Sequence, residues 1–269
     1  MKLLLTSDWH MAGPRDPACR IQRSNDDILR VLDRWQHEYQ LIVLNGDIFE
    51  SLKGSQIRFD HTGRTQELVE RRRPLVDRFL HAPYLWTVGN HDFPLEWVLR
   101  LPVSVQVQLD HGMHLFAEHG HLTRAPREFY TDYHTIYHLM YCAGWWSSWI
   151  RRQLGIPGDA GDSIEALLHW YWRTTSSATG NWPTHLMGAV LARLSTPADR
   201  NLPAFMARSA ETLYQRDNGL ITMGHSHYFH EVRFSGGRTY INTGRGYRRG
   251  RICGVEFDTD SRSVTQVLF

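Results

Sequence analysis

A chain of 269 residues suits one large domain or a domain carrying a sizeable insert, and 42% hydrophobic with 22% charged residues excludes disorder over most of it. The formal charge of +2 is too small to mark a nucleic-acid-binding surface by itself. Three dispersed cysteines (Cys19, Cys142 and Cys253) argue against a disulfide framework and fit a reducing compartment, so a cytoplasmic location is expected. Only Lys2 and Lys53 are lysines, and the gene's base composition explains that arginine excess as readily as bidentate phosphate recognition does.

In chain order, residues 2–7 read as a buried strand, and Asp8 ends the apolar run too early for a signal peptide. Ser24 should cap a helix carrying Ile28, Leu29, Val31, Leu32 and Trp35 on one stripe, with Asp26 and Asp27 in its first turn. Residues 41–44 form the next strand. The helical stretch 68–80 contains Pro74, which should kink or divide it. A third strand covers 84–88; Val105, Val107 and Leu109 alternate as one face of a fourth, and Asp110-His111-Gly112 turns into a fifth at 114–118.

Residues 123–216 carry a helical pattern, broken near 155–158, 180–183 and Pro197. The β pattern resumes at 219–223 and continues through hairpins at Ser235-Gly236-Gly237 and 258–261. The expectation is an α/β core, residues 1–122 and 217–269, interrupted by a helical insert at 123–216. No run reaches the roughly 18 apolar residues of a membrane span.

Five segments share one grammar: a predicted strand ends and metal-binding side chains follow. They are Asp8-Trp9-His10, Gly46-Asp47, Gly89-Asn90-His91-Asp92, His119-Gly120-His121 and Gly224-His225-Ser226-His227. Ligand sites in α/β sheets gather at the carboxyl ends of strands, so these loops should converge on one crevice. Asp, His and an Asn carbonyl make a mixed oxygen–nitrogen set suited to Mn, Fe or Zn, and such a set holds two ions about 4 Å apart if one carboxylate bridges them.

This series resembles the calcineurin-like metallophosphoesterase superfamily. The resemblance implies a four-layer sandwich, two β-sheets flanked by helices, and hydrolysis of a phosphate ester or anhydride by metal-activated water. It implies two divalent ions, Mn²⁺ first, with Asp8, His10 and His227 on one, Asn90, His119 and His225 on the other, and Asp47 between them. His91 would face the phosphate and Asp92 would orient His91. Asn242-Thr243-Gly244 resembles the family's closing loop; the arginines around it are either a solvated cluster or, through Arg245 or Arg248, a grip on a substrate phosphate. His121 reads either as a support behind the ligands or as the start of the insert.

The insert's position and Gly46-Asp47-Ile48-Phe49-Glu50 resemble the UDP-2,3-diacylglucosamine diphosphatase branch, which implies a nucleotide-linked lipid substrate under a helical lid. That branch has Arg where this chain has His91 and an acidic residue where it has His121. The aromatic run at 139–152, ending in Arg151-Arg152, suits either the insert's own core or peripheral membrane contact. Two alternatives are a nuclease guided by Arg71-Arg72-Arg73 and a scaffold without catalysis.

Overall fold

The computed structural model describes residues 1–13, 19–51, 61–121, 202–248 and 250–269. Residues 123–201 of the expected insert, the aromatic run at 139–152 included, therefore lie outside the described residues. Two mixed sheets flanked by helices make up the described core.

The first sheet contains β1 (Lys2–Thr6), β2 (Leu41–Asn45) and β3 (Tyr84–Thr87) in parallel. The second contains β4 (Ser104–Gln108), β5 (His114–Glu118), β6 (Gly219–Met223), β7 (Phe229–Phe234) and β8 (Arg238–Thr243), in the order β4-β5-β6-β8-β7. Completing the first sheet are β9 (Tyr247–Arg248), β10 (Arg251–Asp258) and β11 (Val264–Leu268), giving β11-β10-β1-β2-β3 with β9 on β10. Because β1–β3 run parallel, and β5, β6 and β8 do too, the loops after them leave from one end of each sheet.

Side-chain alternation along β1 separates the layers. Leu3 and Leu5 join Val43, Val255 and Phe257 against Leu115, Ala117, Leu220 and Ile241 of the other sheet. Leu4 faces the opposite way and packs, with Ile42 and Leu44, under helices α1 (Asn25–Glu38), α2 (His61–Arg71) and α3 (Arg73–Phe79). A short α4 (Leu95–Val98) adds Leu95 to this layer. On the far face, Phe116, Ile221 and Tyr240 meet Met206, Ala207 and Ala210 of α5 (Leu202–Leu213). That last helix falls in the range expected for the insert but packs on the core sheet.

Local signals act as expected. The Ser24 hydroxyl accepts from Asp27 N–H at 3.1 Å and caps α1. Pro74 sits in the first turn of α3, and the helical stretch divides at Arg72. Arg72 is itself buried and donates to Ala12 O, Arg23 O and Asn25 Oδ1 at 3.0, 3.1 and 2.8 Å, tying the chain beyond His10 to the helices.

Candidate metal centre

The five strand-end loops meet. Aiming their side chains inward takes backbone conformations that L-residues rarely adopt: φ is 55° at Asp8, 46° at His10, 53° at Asp47, 66° at His225 and 58° at His227. Each costs on the order of 1–3 kcal/mol and persists only when its surroundings enforce it. Here the loop after β1 runs alongside the loop after β2, with Asp8 N–H donating to Gly46 O (3.1 Å), His10 N–H to Asp47 O (3.0 Å) and Met11 N–H to Ile48 O (3.0 Å).

Two groups of donors result. In the first, Asp8 Oδ1 lies 3.1 Å from His227 Nε2 and 4.0 Å from His10 Nε2, and the two imidazole nitrogens are 3.4 Å apart. In the second, His119 Nε2 lies 3.1 Å from both Asp47 Oδ2 and Asn90 Oδ1, with His225 close enough to share an ion. His119 Nε2 also lies 3.9 Å from Asp8 Oδ1, so the groups adjoin. Donors 2.0–2.2 Å from one Zn-sized ion stand about 3.0–3.5 Å from each other, the spacing of Asp8 with His227, of His10 with His227 and of His119 with Asp47 and Asn90; the 4.0 Å between Asp8 and His10 is wider. In a third trio, His10, Asp47 and His91, the ligand atoms also lie within 4.8 Å of one another. Asp8 Oδ1 and Asp47 Oδ2 are buried and accept no well-directed hydrogen bond, the state expected of oxygens built to meet a cation. The residues fit a pair of divalent ions.

Supporting contacts fix which ring nitrogen faces inward. His119 Nδ1 donates to Asn45 O at 2.8 Å, leaving Nε2 for the cluster. His10 Nδ1 lies 3.2 Å from Glu50 Oε2, and His91 Nδ1 lies 2.9 Å from the same oxygen. The Ser7 hydroxyl donates to Asp8 Oδ2 and sits 2.5 Å from Thr243 Oγ1. Gly89 is required where it stands, because a Cβ there would overlap Asp47 Oδ1 and the Asp47 amide.

One expectation changes. Asp92 does not serve His91 through its carboxylate in the way foreseen; it accepts from the N–H groups of Asp47 (3.3 Å), Ile48 (2.8 Å), Phe49 (3.1 Å) and Gly89 (2.6 Å). It thereby staples the loops after β2 and β3 together, and Glu50 holds the His91 ring. Adjacent side chains in a tight turn diverge, so neighbouring sequence positions misled the reading.

The charges follow from packing. Burial alone would push the Asp8 carboxyl up, but His119, His227 and His10 outweigh it and hold it well below the usual carboxylate range. Asp47 behaves likewise: burial opposes, His119 and His91 prevail, and its pKa falls. Burial would also depress His119, yet Asp47 and Asp8 raise it to about 9. For His10 burial wins over Glu50 and lowers the pKa. Burial, then the Asp47 charge, push Asp92 to about 7 against the pull of its N–H donors.

His121 is buried, its ring 5.6 Å from that of His119 and 6.3 Å from that of His225. Arg245 is exposed on the loop after β8, and Arg248 is exposed on β9, paired with Arg251. Arg71 pairs with Glu67, Arg73 with Asp77 at 2.9 Å, and Arg72 is buried. Glu50 is the main residue missed; its place three positions after Asp47 was visible, but no local pattern revealed its partners.

Residues 1–229 match the family model described as calcineurin-like phosphoesterase. No protein of curated function matches. Among solved structures, the chain is similar to a novel archaeal phosphodiesterase (12% identity, all of both chains covered, TM-score 0.40). It is also similar to a dimetal phosphatase from Danio rerio (12% identity, 95% of this chain and 91% of that one covered, TM-score 0.49). A Thermotoga maritima protein is similar at 14% identity, covering 100% of this chain and 98% of its own (TM-score 0.36). The family match covers the strand-end loops from Asp8 to His227 that supply both donor groups, and the chain belongs to the calcineurin-like phosphoesterases, a family of metal-dependent phosphoester hydrolases.

Proposed function

We propose that this protein hydrolyses a phosphate ester or anhydride at two divalent ions, most readily Mn²⁺, with Asp8, His10 and His227 holding one, Asn90, His119 and His225 the other, and Asp47 shared. The observation that carries this is the pair of buried carboxylate oxygens, Asp8 Oδ1 and Asp47 Oδ2, each facing an imidazole Nε2 at 3.1 Å without a well-directed hydrogen bond. Bound ions would supply Lewis-acid charge and an activated water for in-line attack on phosphorus.

The chain's own groups do the rest. His91, its Nδ1 committed to Glu50, presents the other side of its ring toward the phosphate, where it stabilises charge or protonates the leaving oxygen. Glu50 fixes the tautomers of His10 and His91 together. Asp92 keeps the loops bearing Asp47 and His91 in register. Arg245 lies on the loop beside Ser7 and adds positive charge for the substrate phosphate.

For the substrate, the sequence favours a nucleotide-linked lipid or another small phosphoester, in a cytoplasmic enzyme. The resemblance of Gly46-Asp47-Ile48-Phe49-Glu50 and of the insert's position to the diacylglucosamine diphosphatase branch supports the lipid reading. Among the described residues no helix is long and apolar enough to cross a membrane.

The test is turnover of bis(p-nitrophenyl) phosphate and p-nitrophenyl phosphate by metal-stripped protein titrated with Mn²⁺. Turnover should appear with Mn²⁺ and vanish, together with metal binding, in Asp47→Ala. His91→Ala should keep its metal but slow by roughly two to four orders of magnitude. A protein that binds no metal refutes the reading in favour of the scaffold.

A further inference from the structure

The end of β8 carries none of the expected ligands, yet two adjacent side chains there reach both groups of donors. Asn242 is fully buried; its Nδ2 donates to Gly224 O at 2.6 Å and to the Tyr240 hydroxyl at 3.3 Å, and its Oδ1 accepts from Gly244 N–H at 3.2 Å. An amide has two N–H donors, so both are committed. Met206 of α5 packs over the same nitrogen, its Sδ 3.8 Å away, and shields the contact from water.

The carbonyl that Asn242 holds belongs to a peptide fixed from several sides. Gly224 N–H donates to His119 O at 3.0 Å, and the next amide, His225 N–H, donates to Asp8 Oδ2 at 3.1 Å. Only glycine allows these approaches at 224, because a Cβ there would overlap Ser7 Oγ and Asp8 Oδ2. The Gly224–His225 step therefore sets His119 and His225 of one donor group against Asp8 of the other, and Asn242 sets that step.

Thr243 acts from the opposite face of the strand. A hydroxyl has one proton, and Ser7 gives its own to Asp8 Oδ2, so Thr243 Oγ1, 2.5 Å from Ser7 Oγ, is the donor of that pair. The relay from Thr243 through Ser7 and the His225 N–H converge on one oxygen, Asp8 Oδ2. That leaves Asp8 Oδ1 turned toward His227 Nε2 at 3.1 Å.

We infer that Asn242 and Thr243 are positioning residues that set the separation of the two ions, Asn242 through the Gly224–His225 peptide and Thr243 through Ser7 and Asp8. This rests on the two-ion reading above and goes beyond it, because neither residue touches an ion or the substrate.

Mn²⁺ itself is the probe. Two Mn²⁺ ions about 4 Å apart that share a carboxylate are magnetically coupled, so electron paramagnetic resonance reads their separation apart from turnover, and calorimetry reads their affinities. The full wild-type chain should take up two ions and give a coupled spectrum. Asn242→Leu removes the amide donors at similar volume, and Thr243→Val removes the hydroxyl alone. Each should weaken the second equivalent of Mn²⁺ about 10–100-fold and alter the coupled signal at saturating metal. Thr243→Ser keeps the hydroxyl and should restore both readouts; should Asn242→Leu not fold, the two Thr243 variants decide. Folded variants that melt earlier in chelator yet keep wild-type Mn²⁺ affinity and coupling overturn the inference, since that is the result of a merely structural role. A Thr243→Ser protein as defective as Thr243→Val overturns it too. Fewer than two Mn²⁺ on the wild-type chain is a different failure, which overturns the two-ion reading and this inference with it.

Discussion

Replacing Glu50 by glutamine asks how much of the site depends on one carboxylate. The side chain is 2% exposed; its Oε2 lies 3.2 Å from His10 Nδ1 and its Oε1 lies 3.0 Å from His91 Nδ1. A carboxylate accepts from both rings at once, whereas an amide offers one accepting oxygen and an NH₂ that meets the second ring's N–H donor to donor. Glutamine has nearly the same shape, so packing survives and the loss is electrostatic. A hydrogen bond to a charged group contributes about 1.5–3 kcal/mol, which converts to about 10–150-fold in an equilibrium or a rate. Glu50→Gln should therefore bind Mn²⁺ about 10–100-fold more weakly, through His10, and at saturating metal should still turn over about 10–100-fold more slowly, through His91. Calorimetric Mn²⁺ titration followed by diester turnover separates the two effects. Wild-type metal affinity and wild-type turnover together would refute the role assigned to Glu50, and a metal defect fully rescued by excess Mn²⁺ would remove its role at His91.

Other perturbations address other parts of the centre. Gly89→Ala drives a methyl into Asp47, so it should destabilise the fold by about 1–3 kcal/mol and abolish Mn²⁺ binding; a normal metal content would contradict the close packing. Ser7→Ala removes the hydroxyl that donates to Asp8 Oδ2, and metal affinity should fall about ten-fold while the melting temperature in chelator stays within a few degrees. In metal-free protein, His119 is raised to about 9, so its contribution, at most about 3 kcal/mol, is complete below its ordinary pKa near 6.5 and is lost as pH climbs through 9. The depressed Asp8 and Asp47 act oppositely, stabilising above about pH 4 and losing that in acid. Thermal melts in chelator should show the alkaline loss, and His119→Gln should flatten it; an unchanged slope would refute the assignment.

Much of the fold was legible because its signals are local. Alternation marked β4, the Ser24 cap marked α1, and Pro74 marked the break between α2 and α3. The convergence of Asp8, Asp47, Asn90, His119 and His227 followed from each standing at a strand's carboxyl end, which parallel strands bring to one edge. What local pattern did not carry was contact between distant loops. Glu50 reaches His91 across 41 residues, Ser7 reaches Thr243 across 236, and neither pairing has a period or spacing to announce it. The same holds for Asp92, whose carboxylate serves four backbone amides spread over two loops. Helix α5 was assigned to the insert because its own amphipathic pattern does not say which surface it will cover.

β1 pairs with β2 on one side and with β10 on the other, Leu3 standing opposite both Leu41 and Phe257. A ribosome therefore releases the first strand of the molecule long before one of its two neighbours exists. Closing so long a loop adds little to the equilibrium cost, about 0.6 kcal/mol for each doubling, so the burden falls on the rate of folding. Until β8 and β10 emerge, β1 presents an open edge and Asp8 lacks the Ser7–Thr243 contact that holds its carboxylate. Metal capture by the nascent chain is thereby delayed until Thr243 and β10 have been made, although His227, the last of the expected ligands, precedes Thr243 by 16 residues.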